Sequence, residues 1–236
     1  INRINTIIDR KTMKNAFAVK LLVGQTLAVL SIIPMILYAN TWQWVASAVM
    51  YFGIMTFGIS MGYHRYITHH VFKCPLWFEY VMLFFAHIMM VGSALGWVAQ
   101  HKQHHQYSDT PDDPHSPHYK GILRSYWTLV LFEPNFRYVR DMLRVKRYTY
   151  QHKYYWTIIF AWALLLLLID PYAIIYLWLA PAGFAKLVGA LVFSYSHRNR
   201  QPNTDWWLGI LTFGEGFHVE HHKNPSAKSY HKHDIS

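Results

Sequence analysis

Long apolar tracts separated by short charged stretches dominate the sequence. A helix needs about 20 apolar residues to cross a bilayer. Four tracts approach or exceed that length and are predicted to be transmembrane helices, at about 17–39, 42–62, 154–170 and 171–193. The last tract contains Lys186, which has two interpretations: a functional charge inside the membrane, or an ammonium that water reaches where Pro181 and Gly183 break the helix.

The charged stretches indicate how these helices are oriented. Lysines and arginines gather in three segments, 3–20, 102–153 and 198–232, whereas the turns at 40–41 and 170–171 have neither residue. The positive-inside rule therefore places the three segments and both termini in the cytoplasm. The helices then form two hairpins whose turns lie on the far side of the membrane.

A fifth apolar tract, about 77–98, carries Glu79, His87 and Gly92. Both of its ends would lie on the cytoplasmic side, so we predict a helix that lies in the membrane interface or re-enters it. The alternative is a fifth span, which would separate His64 from His101 across the membrane. The predicted fold class is all-α: an integral membrane protein with four transmembrane helices, an interfacial helix and a cytoplasmic histidine-rich helical cap.

Composition narrows the possible functions. The chain has 236 residues, 53% of them hydrophobic and only 14% charged, which favours a single membrane domain, 1–236, over a soluble protein. Contact with anionic lipids explains the net charge of +10 better than nucleic acid, for which no motif is present. Cys74 is the only cysteine, which excludes an intramolecular disulfide and an iron–sulfur cluster on this chain.

The 16 histidines are unusually many, and three clusters of them lie at the ends of apolar tracts. The clusters hold His64 and His69; His101, His104 and His105; and His218, His221 and His222. One H-x-x-H-H cluster would be a weak signal, because it also occurs in surface patches and zinc sites. Three such clusters at one membrane face indicate a metal centre with nitrogen ligands.

Helical spacing suggests how these histidines are shared. At about 100° per residue, His101 and His105 lie about 40° apart on a helix, whereas His104 and His105 diverge by about 100°. Adjacent histidines can therefore bind two different ions, and the third cluster repeats this geometry. His64 and His69 would lie about 140° apart, which is too wide for one ion but suits one ligand to each of two ions.

The ligand type leaves the metal open, because imidazole binds iron, copper, zinc and nickel. A zinc site normally takes four ligands in all. The eight histidines of the three clusters exceed one such site and fit two ions. A nitrogen-rich pair of ions without thiolates favours redox-active iron and dioxygen chemistry.

In these motifs the sequence resembles the membrane fatty acid desaturases, in particular the acyl-CoA delta-9 type, from about the second predicted span to Pro225. The boxes of that family are H-x-x-x-x-H, then Trp followed by H-x-x-H-H and D-P-H, and finally G-E-G-x-H-x-x-H-H. They are matched here by the segments that begin at His64, Trp97, Asp113 and Gly214. A further histidine of the family, after its fourth span, corresponds to His197.

The resemblance implies nine metal ligands on two iron ions. One iron would be bound by His64, His105, His218 and His221, and the other by His69, His101, His104, His197 and His222. Zinc could occupy the same sites on overexpression, because it tolerates imidazole ligands well.

Other residues are expected to support these ligands. Asp113 and His115 fit the role of orienting metal-bound imidazoles, and Asp109 and Glu215 are candidates for the same role. The alternative for the acids is a solvated loop charge. The sequence departs from the family at Phe193, where the family often has an Asn that holds a metal-bound water. Ser194 and Ser196 are the candidates to replace it.

The resemblance implies an oxygen-dependent fatty-acyl desaturase that introduces a cis double bond, at the delta-9 position, with dioxygen as co-substrate. The acyl chain would be carried by CoA, acyl carrier protein or a lipid. Electrons would come from a separate ferredoxin, rubredoxin or cytochrome b5, because the chain has no haem-binding segment. The basic stretch 137–147 could dock an acidic carrier or an acyl-carrier headgroup, or contact lipid headgroups instead.

Two other functions stay open at this point. A hydroxylase or acetylenase on the same scaffold would share the motifs and differ in its product. A metal transporter or haem-binding membrane protein would need ligands within the spans. The soluble carboxylate-bridged diiron desaturases are excluded, because they need two Glu-x-x-His motifs and this chain has one, from Glu215 to His218.

The substrate channel is predicted from the helix that precedes His64. The residues that would share its face on an α-helix are Phe52, Gly53, Thr56, Phe57 and Ser60. An acyl chain beside the irons would run its methyl end along this face and stop at Phe52 or Phe57. The alternative is that both rings simply pack against a neighbouring span. Trp97 is also expected to line the channel.

Overall fold

The computed structural model describes residues 2–121, 127 and 133–234, with side chains from Ala16 onward except that of Phe193. Among these residues the regular structure is helical, and the only β-pairing is an isolated bridge between Thr204 and Phe217. The α-helices are α1 Asn2–Leu30, α2 Ile32–Tyr38, α3 Thr41–Phe52, α4 Leu76–Ile88, α5 Ala94–Tyr107, α6 Pro117–Lys120, α7 Lys146–Lys153, α8 Tyr155–Ile169, α9 Ala180–Ser196, α10 Trp206–Leu211 and α11 His218–Lys223. The remaining elements are π-helices at Gly53–Thr68 and Ile175–Leu179 and 3-10 helices at Phe136–Val139, Met142–Arg144 and Arg198–Arg200.

Three helical stretches of the described chain are long and apolar enough to span a bilayer: Ala16–Tyr38, Thr41–Thr68 and Ile175–Ser196. A fourth candidate is the pair α7 and α8, which is bent by 70° at the break between the two helices. Helix α8 alone has 15 residues, fewer than the roughly 20 that cross a bilayer. The predicted all-α membrane fold is confirmed, and a count of four spans requires α7 and α8 to act as one.

Apolar side chains cover the outer surface of these spans. Leu168 is 77% exposed and Ile36 is 64% exposed, and many leucines and isoleucines of the same helices are similarly open. A soluble monomer rarely leaves so much contiguous apolar surface in water. The pattern fits side chains that contact lipid tails, so the spans are integral to a membrane.

Local sequence explains how the spans are joined and packed. Asn40 begins α3 with a capping box, in which its side chain and that of Gln43 each accept the other's backbone N–H at 3.0 Å. Helices α1 and α9 cross closely because Gly183 has no side chain; a Cβ there would collide with the backbone of Ala28. This crossing fixes the beginning of α9 against the first span.

The second span changes from α-helix to π-helix at Gly53 and keeps that form to Thr68. Its hydrogen bonds run between residues five apart, and the last is donated by His69 N to His64 O at 3.2 Å. Helix α4 packs directly against this π-helix at Gly58, where a Cβ would lie 2.6 Å from the backbone nitrogen of Ala86. Residues four and five apart, instead of three and four, therefore share a face along this span.

The tract predicted as one interfacial helix, 77–98, consists of two helices, so that prediction was wrong in its bounds. Helix α4 ends at Ile88, the chain turns through Met90 and Gly92 with φ values of 60° and 100°, and α5 follows. Ser93 caps α5 by accepting a hydrogen bond from Gly96 N at 3.3 Å. With 13 residues, α4 is too short to cross a bilayer alone, in agreement with a tract that does not span.

Candidate metal centre

The structure brings all nine predicted ligands together in two groups. Within each group, one ligand atom of every residue lies within 4.8 Å of the others. The five-histidine cluster consists of His64, His69, His101, His105 and His221. The four-histidine cluster consists of His104, His197, His218 and His222.

Two short α-helical segments supply ligands to both clusters. On α5, His101 and His105 are one turn apart and their Nε2 atoms lie 3.0 Å apart, while His104 belongs to the other cluster. On α11, His218 and His222 are likewise one turn apart, with Nε2 atoms 3.1 Å apart. Adjacent histidines thus serve different clusters, as α-helical spacing predicts.

The first histidine motif, which contains His64 and His69, does not follow α-helical spacing. His64 and His69 were expected to serve different ions because an α-helix would separate them by about 140°. Both belong to the five-histidine cluster, and their ring centroids are 5.0 Å apart. The reason is the π-helix, in which residues five apart are joined by a hydrogen bond and lie nearly one above the other.

The division of ligands implied by the family resemblance differs from these two groups at three residues. His69 and His101 lie with His105 in the five-histidine cluster, whereas the resemblance placed them on the other ion. His218 lies in the four-histidine cluster, with its Nε2 atom 2.8 Å from that of His197. In the structure, His101 lies with His105, and His218 lies with His222, each pair one helical turn apart. The resemblance assigned the two members of each pair to different ions.

Three carboxylates hold imidazoles of both clusters. The pairs are His64 Nδ1 with Glu215 Oε1 at 2.7 Å, His197 Nδ1 with Asp109 Oδ2 at 2.9 Å, and His104 Nδ1 with Asp113 Oδ1 at 2.9 Å. An ionised carboxylate can only accept a hydrogen bond, so the proton of each imidazole is on Nδ1. The lone pair of each Nε2 atom is then directed into its cluster.

The loop after α5 is built around the buried carboxylate of Asp113. Besides His104, this carboxylate accepts hydrogen bonds from the backbone nitrogens of Asp109 at 3.0 Å and His115 at 2.8 Å. Burial would raise the pKa of Asp113, but the hydrogen bonds and charges of His104 and His115 together outweigh burial, so the pKa is lowered. The His115 ring lies edge-on to His104, 5.3 Å away. Asp109, Asp113, His115 and Glu215, all predicted to orient ligands, therefore lie against them.

The spacing of the Nε2 atoms suits bound metal ions. Six pairs of them are between 2.8 and 3.2 Å apart. Two nitrogens at right angles around one ion, each about 2.1 Å from it, would be about 3 Å apart. Burial, and then the neighbouring imidazoles, hold the pKa of His101, His218 and His221 well below its ordinary value. These histidines are thus neutral, which is the form that binds a metal.

A cavity lies between the clusters and the spans. It is bounded by His101 of the five-histidine cluster and His218 of the four-histidine cluster. Its apolar walls are formed by Met55, Ile59, Met89, Val91, Trp97 and Val192. Trp97 also stacks on His101, with ring centroids 4.8 Å apart and planes 13° apart. An apolar chain in this cavity would contact ligands of both clusters.

Of the predicted channel residues, Trp97 lines this cavity. Phe52, Thr56, Phe57 and Ser60 are not among the described residues that line it. Phe52 is 43% exposed and packs edge-on against Phe57, and the hydroxyl of Ser60 donates to the carbonyl of Phe213 at 2.7 Å. The π-helix accounts for Ile59, because it places this residue, five before His64, on the histidine face, which α-helical spacing would not do.

Two further sequence observations concern α9. Helix α9 is continuous past Pro181 and Gly183, so the predicted break does not occur. Lys186 is only 4% exposed and lines the cavity.

The side chain of Phe193 lies outside the described residues. Ser194 donates its hydroxyl to Ala190 O at 2.7 Å within its own helix. The hydroxyl of Ser196 is fully buried and has no hydrogen-bond partner in the described part of the chain.

Sequence reasoning missed the residues that cover the five-histidine cluster from outside. The ring of Tyr230 lies 5.0 Å from that of His221, and Arg65 forms a buried ion pair with Asp234 at 2.6 Å. The only available signal was the position of Arg65 directly after His64. Met55 and Ile59 were missed because α-helical spacing was assumed for a π-helical span.

Comparison with known proteins agrees with these observations. The fatty acid desaturase family matches residues 39–236. An sn-2 palmitoyl-lipid 9-desaturase of Nostoc sp. (strain 36) is 28% identical over 193 residues, which are 73% of this chain and 67% of the relative. An sn-1 stearoyl-lipid 9-desaturase of Anabaena variabilis is 29% identical over 203 residues, 77% of this chain and 72% of the relative.

A third relative is named for a different substrate. An acyl-CoA 5-desaturase of Anemone leveillei is 28% identical over 200 residues, 77% of this chain and 62% of the relative. The chain thus spans between 62% and 72% of the lengths of these three proteins. Because the family match covers most of the chain and includes every histidine of the two clusters, the chain belongs to the fatty acid desaturase family.

Proposed function

We propose that this chain is an oxygen-dependent fatty-acyl desaturase that uses two iron ions to introduce a cis double bond at the delta-9 position. The observation that supports this most directly is the convergence of nine imidazoles into two adjacent clusters, three of them held by carboxylates. The 9-desaturases among the relatives support the position of the double bond. The delta-9 position needs a test of its own, because another relative is named a 5-desaturase.

The donor set fits the group that the family implies. Iron bound in the two clusters would supply the dioxygen chemistry needed to break unactivated C–H bonds, which side-chain acids and bases cannot break. The chain itself orients the imidazoles. Asp109, Asp113 and Glu215 do this by keeping the Nδ1 proton in place on their partners.

The cavity is the proposed site for the acyl chain. Its apolar walls would hold methylene groups against His101 and His218, so that one pair of carbons is presented to both clusters. In this arrangement Met55, Ile59 and Trp97 would contact the chain. Phe52 and Phe57 remain the alternative end of the channel, on the neighbouring face of the same span.

Exposed arginines in the segment before α7 suit anionic partners. Arg137, Arg140 and Arg144 lie on the exposed surface of the segment before α7. An acidic ferredoxin, rubredoxin or cytochrome b5, which would supply electrons, could dock there by charge complementarity. Membrane lipid headgroups and an anionic acyl carrier would be attracted to the same surface. The relatives are named for lipid-linked and CoA-linked substrates, so the assay includes both carriers and acyl carrier protein.

The clusters and both termini are proposed to face the cytoplasm, with 1–236 forming one domain, because the basic segments flank the spans on that side. Single cysteines in a Cys74→Ser background test this orientation. Cysteines at Asn40 and Asp170 should react only from the far side, and cysteines at Lys73 and Lys102 only from the cytoplasm. Labelling of Asn40 or Asp170 from the cytoplasm would contradict the topology.

The proposed chemistry is tested by expressing the chain in cells without a related activity and analysing their lipids by mass. Desaturation removes two hydrogens from an acyl chain, whereas a hydroxylase would add an oxygen. Protein purified and loaded with iron should contain about two iron ions per chain. Any zinc acquired during overexpression is replaced before the measurement.

Two variants test whether the histidine clusters are needed for activity, one in a cluster and one outside both. His104→Ala removes a ligand and should abolish the product. His70→Asn changes an exposed histidine that belongs to neither cluster and whose positive φ asparagine tolerates, so activity should be retained. One iron per chain, or a product formed by His104→Ala, would contradict the two-iron proposal.

A further inference from the structure

The segment that follows the third histidine motif, residues 224–234, folds back over the five-histidine cluster and is called here the C-terminal strap. It contains no regular helix or strand. At its centre is Tyr230, whose side chain is 3% exposed. The Tyr230 ring lies 5.0 Å from the His221 ring and 6.2 Å from the His64 ring. The strap therefore places one buried aromatic ring directly against two predicted ligands.

A buried ion pair anchors the strap to the first histidine motif. Arg65 Nη2 donates to Asp234 Oδ2 at 2.6 Å, and the two side chains are 2% and 0% exposed. Arg65 also donates to the carbonyl of Lys228 at 3.1 Å, and its guanidinium lies 4.3 Å from the centre of the Tyr230 ring. Asp234 Oδ2 accepts a further hydrogen bond from Tyr230 N at 2.8 Å. The pair thus fixes both the backbone and the ring of Tyr230.

His221 needs such support more than most ligands of the two clusters. A metal-bound histidine usually donates its second ring N–H to a carboxylate, a carbonyl or water, which fixes the ring orientation. His64 has this support from Glu215. The Nδ1 atom of His221 is buried and has no hydrogen-bond partner among the described residues. Packing against Tyr230 is what restricts rotation of this ring on the outer side.

We propose that Tyr230, held in place by the Arg65–Asp234 ion pair, is a positioning residue that fixes the His221 ring for metal binding in the five-histidine cluster. The inference rests on the proposed function, because it assumes that both clusters bind metal. It concerns only residues of this chain and assigns a role to the strap and to Arg65. The hydroxyl of Tyr230 is not part of that role, since it donates to Pro225 O at 2.8 Å within the strap.

The test measures iron retention against a competing chelator with purified full-length protein. In Tyr230→Leu, which removes the ring, the metal of the five-histidine cluster should bind about tenfold more weakly while the other metal is retained. Asp234→Asn should have the same selective effect, because it releases Arg65. Tyr230→Phe, which keeps the ring, should retain both metals as the wild type does.

Glu79→Gln is the control for general destabilisation. Glu79 is also buried and ion-paired, with Arg147, and its other hydrogen bonds come from Tyr66 and Tyr148. Its loss should lower the melting temperature without selective loss of metal. Wild-type metal retention in Tyr230→Leu, or equal metal loss in Glu79→Gln, would overturn the inference. Failure of the wild type to bind two metals would instead contradict the proposed function.

Discussion

The two histidine clusters share the same helices but are held in different ways. In the four-histidine cluster, His104 and His197 donate to buried aspartates, and His218 lies 3.3 Å from the carbonyl of Glu215. In the five-histidine cluster, His64 is the one histidine that pairs with a carboxylate of the described residues. Most ligands of the smaller cluster are thus oriented by hydrogen bonds.

Aromatic packing takes that role in the larger cluster. The Nδ1 atoms of His101 and His221 are buried without hydrogen-bond partners in the described chain. His101 stacks on Trp97 instead, and His221 packs against Tyr230. A carboxylate partner raises the basicity of an imidazole as well as orienting it, whereas an aromatic ring only restricts its orientation. The two metal sites are therefore expected to be unequal, with fewer but stronger ligands in the four-histidine cluster.

The largest effect is expected from removing a ligand from the smaller cluster. His222→Ala leaves three imidazoles there, so this variant should lose one of its two irons and all activity. His69→Ala leaves four imidazoles in the five-histidine cluster and should retain both metals, with about tenfold weaker binding of one. Metal analysis and product analysis of both variants check this. Equal loss of metal would mean that the clusters do not differ in ligand redundancy.

A smaller effect is expected from Asp113→Asn, which keeps the shape of the side chain but removes the charge that holds His104. Metal affinity of the four-histidine cluster should fall by about 10- to 100-fold, because the orientation and basicity of one ligand are lost. The exposed neighbour Asp112 provides a matched control, since Asp112→Asn changes the same charge in the same loop without touching a ligand. A chelator titration measures both, and similar affinities in the two variants would refute the role of Asp113.

Glu215→Gln should weaken metal binding in the five-histidine cluster, and by a smaller factor than Asp113→Asn weakens it in the four-histidine cluster. Its carboxylate holds His64, while its backbone carbonyl, which the substitution leaves unchanged, faces His218. The five-histidine cluster retains four other ligands, so we expect at most about tenfold weaker binding of its metal. The same titration should show no change for the four-histidine cluster. Loss of both metals together would indicate that Glu215 supports the whole centre and not one cluster.

The sequence predicts most of this centre because its chemistry is local. His101 and His105 share a face of an ordinary α-helix, so spacing alone pairs them correctly. The three carboxylates follow from their closeness in sequence to histidine motifs. His69 lies in the same cluster as His64, contrary to α-helical spacing, because the segment between them is a π-helix, a form that short-range hydrophobic spacing does not distinguish from an α-helix.

Local backbone breaks and contacts between distant segments could not be predicted from the sequence. The break between α4 and α5 depends on Met90 and Gly92 adopting positive φ within a tract that is apolar throughout. Tyr230 and Asp234 meet Arg65 only because the strap folds back more than 160 residues along the chain. Neither feature has a periodicity that a single sequence reveals.

The smallest expected effect concerns the cavity wall, which touches His101 of one cluster and His218 of the other. Met55 and Ile59 line that wall, so Met55→Ala and Ile59→Ala should shift the ratio of activities on acyl chains of different length, favouring longer ones by about tenfold. One methylene group in an apolar pocket is worth about 1–3 kcal/mol, which sets that scale. Both substitutions leave the histidines intact, so metal content should not change.

Phe52→Ala and Phe57→Ala complete the comparison, because these rings lie on the same span but outside the cavity wall. They pack against each other, and Phe57 also packs against Phe78 and Phe85, so their loss should lower stability more than it changes chain-length preference. Assays of all four variants with a series of acyl chains separate the two faces. If the phenylalanine variants shift the preferred length and the other two do not, the acyl chain follows the face expected from α-helical spacing.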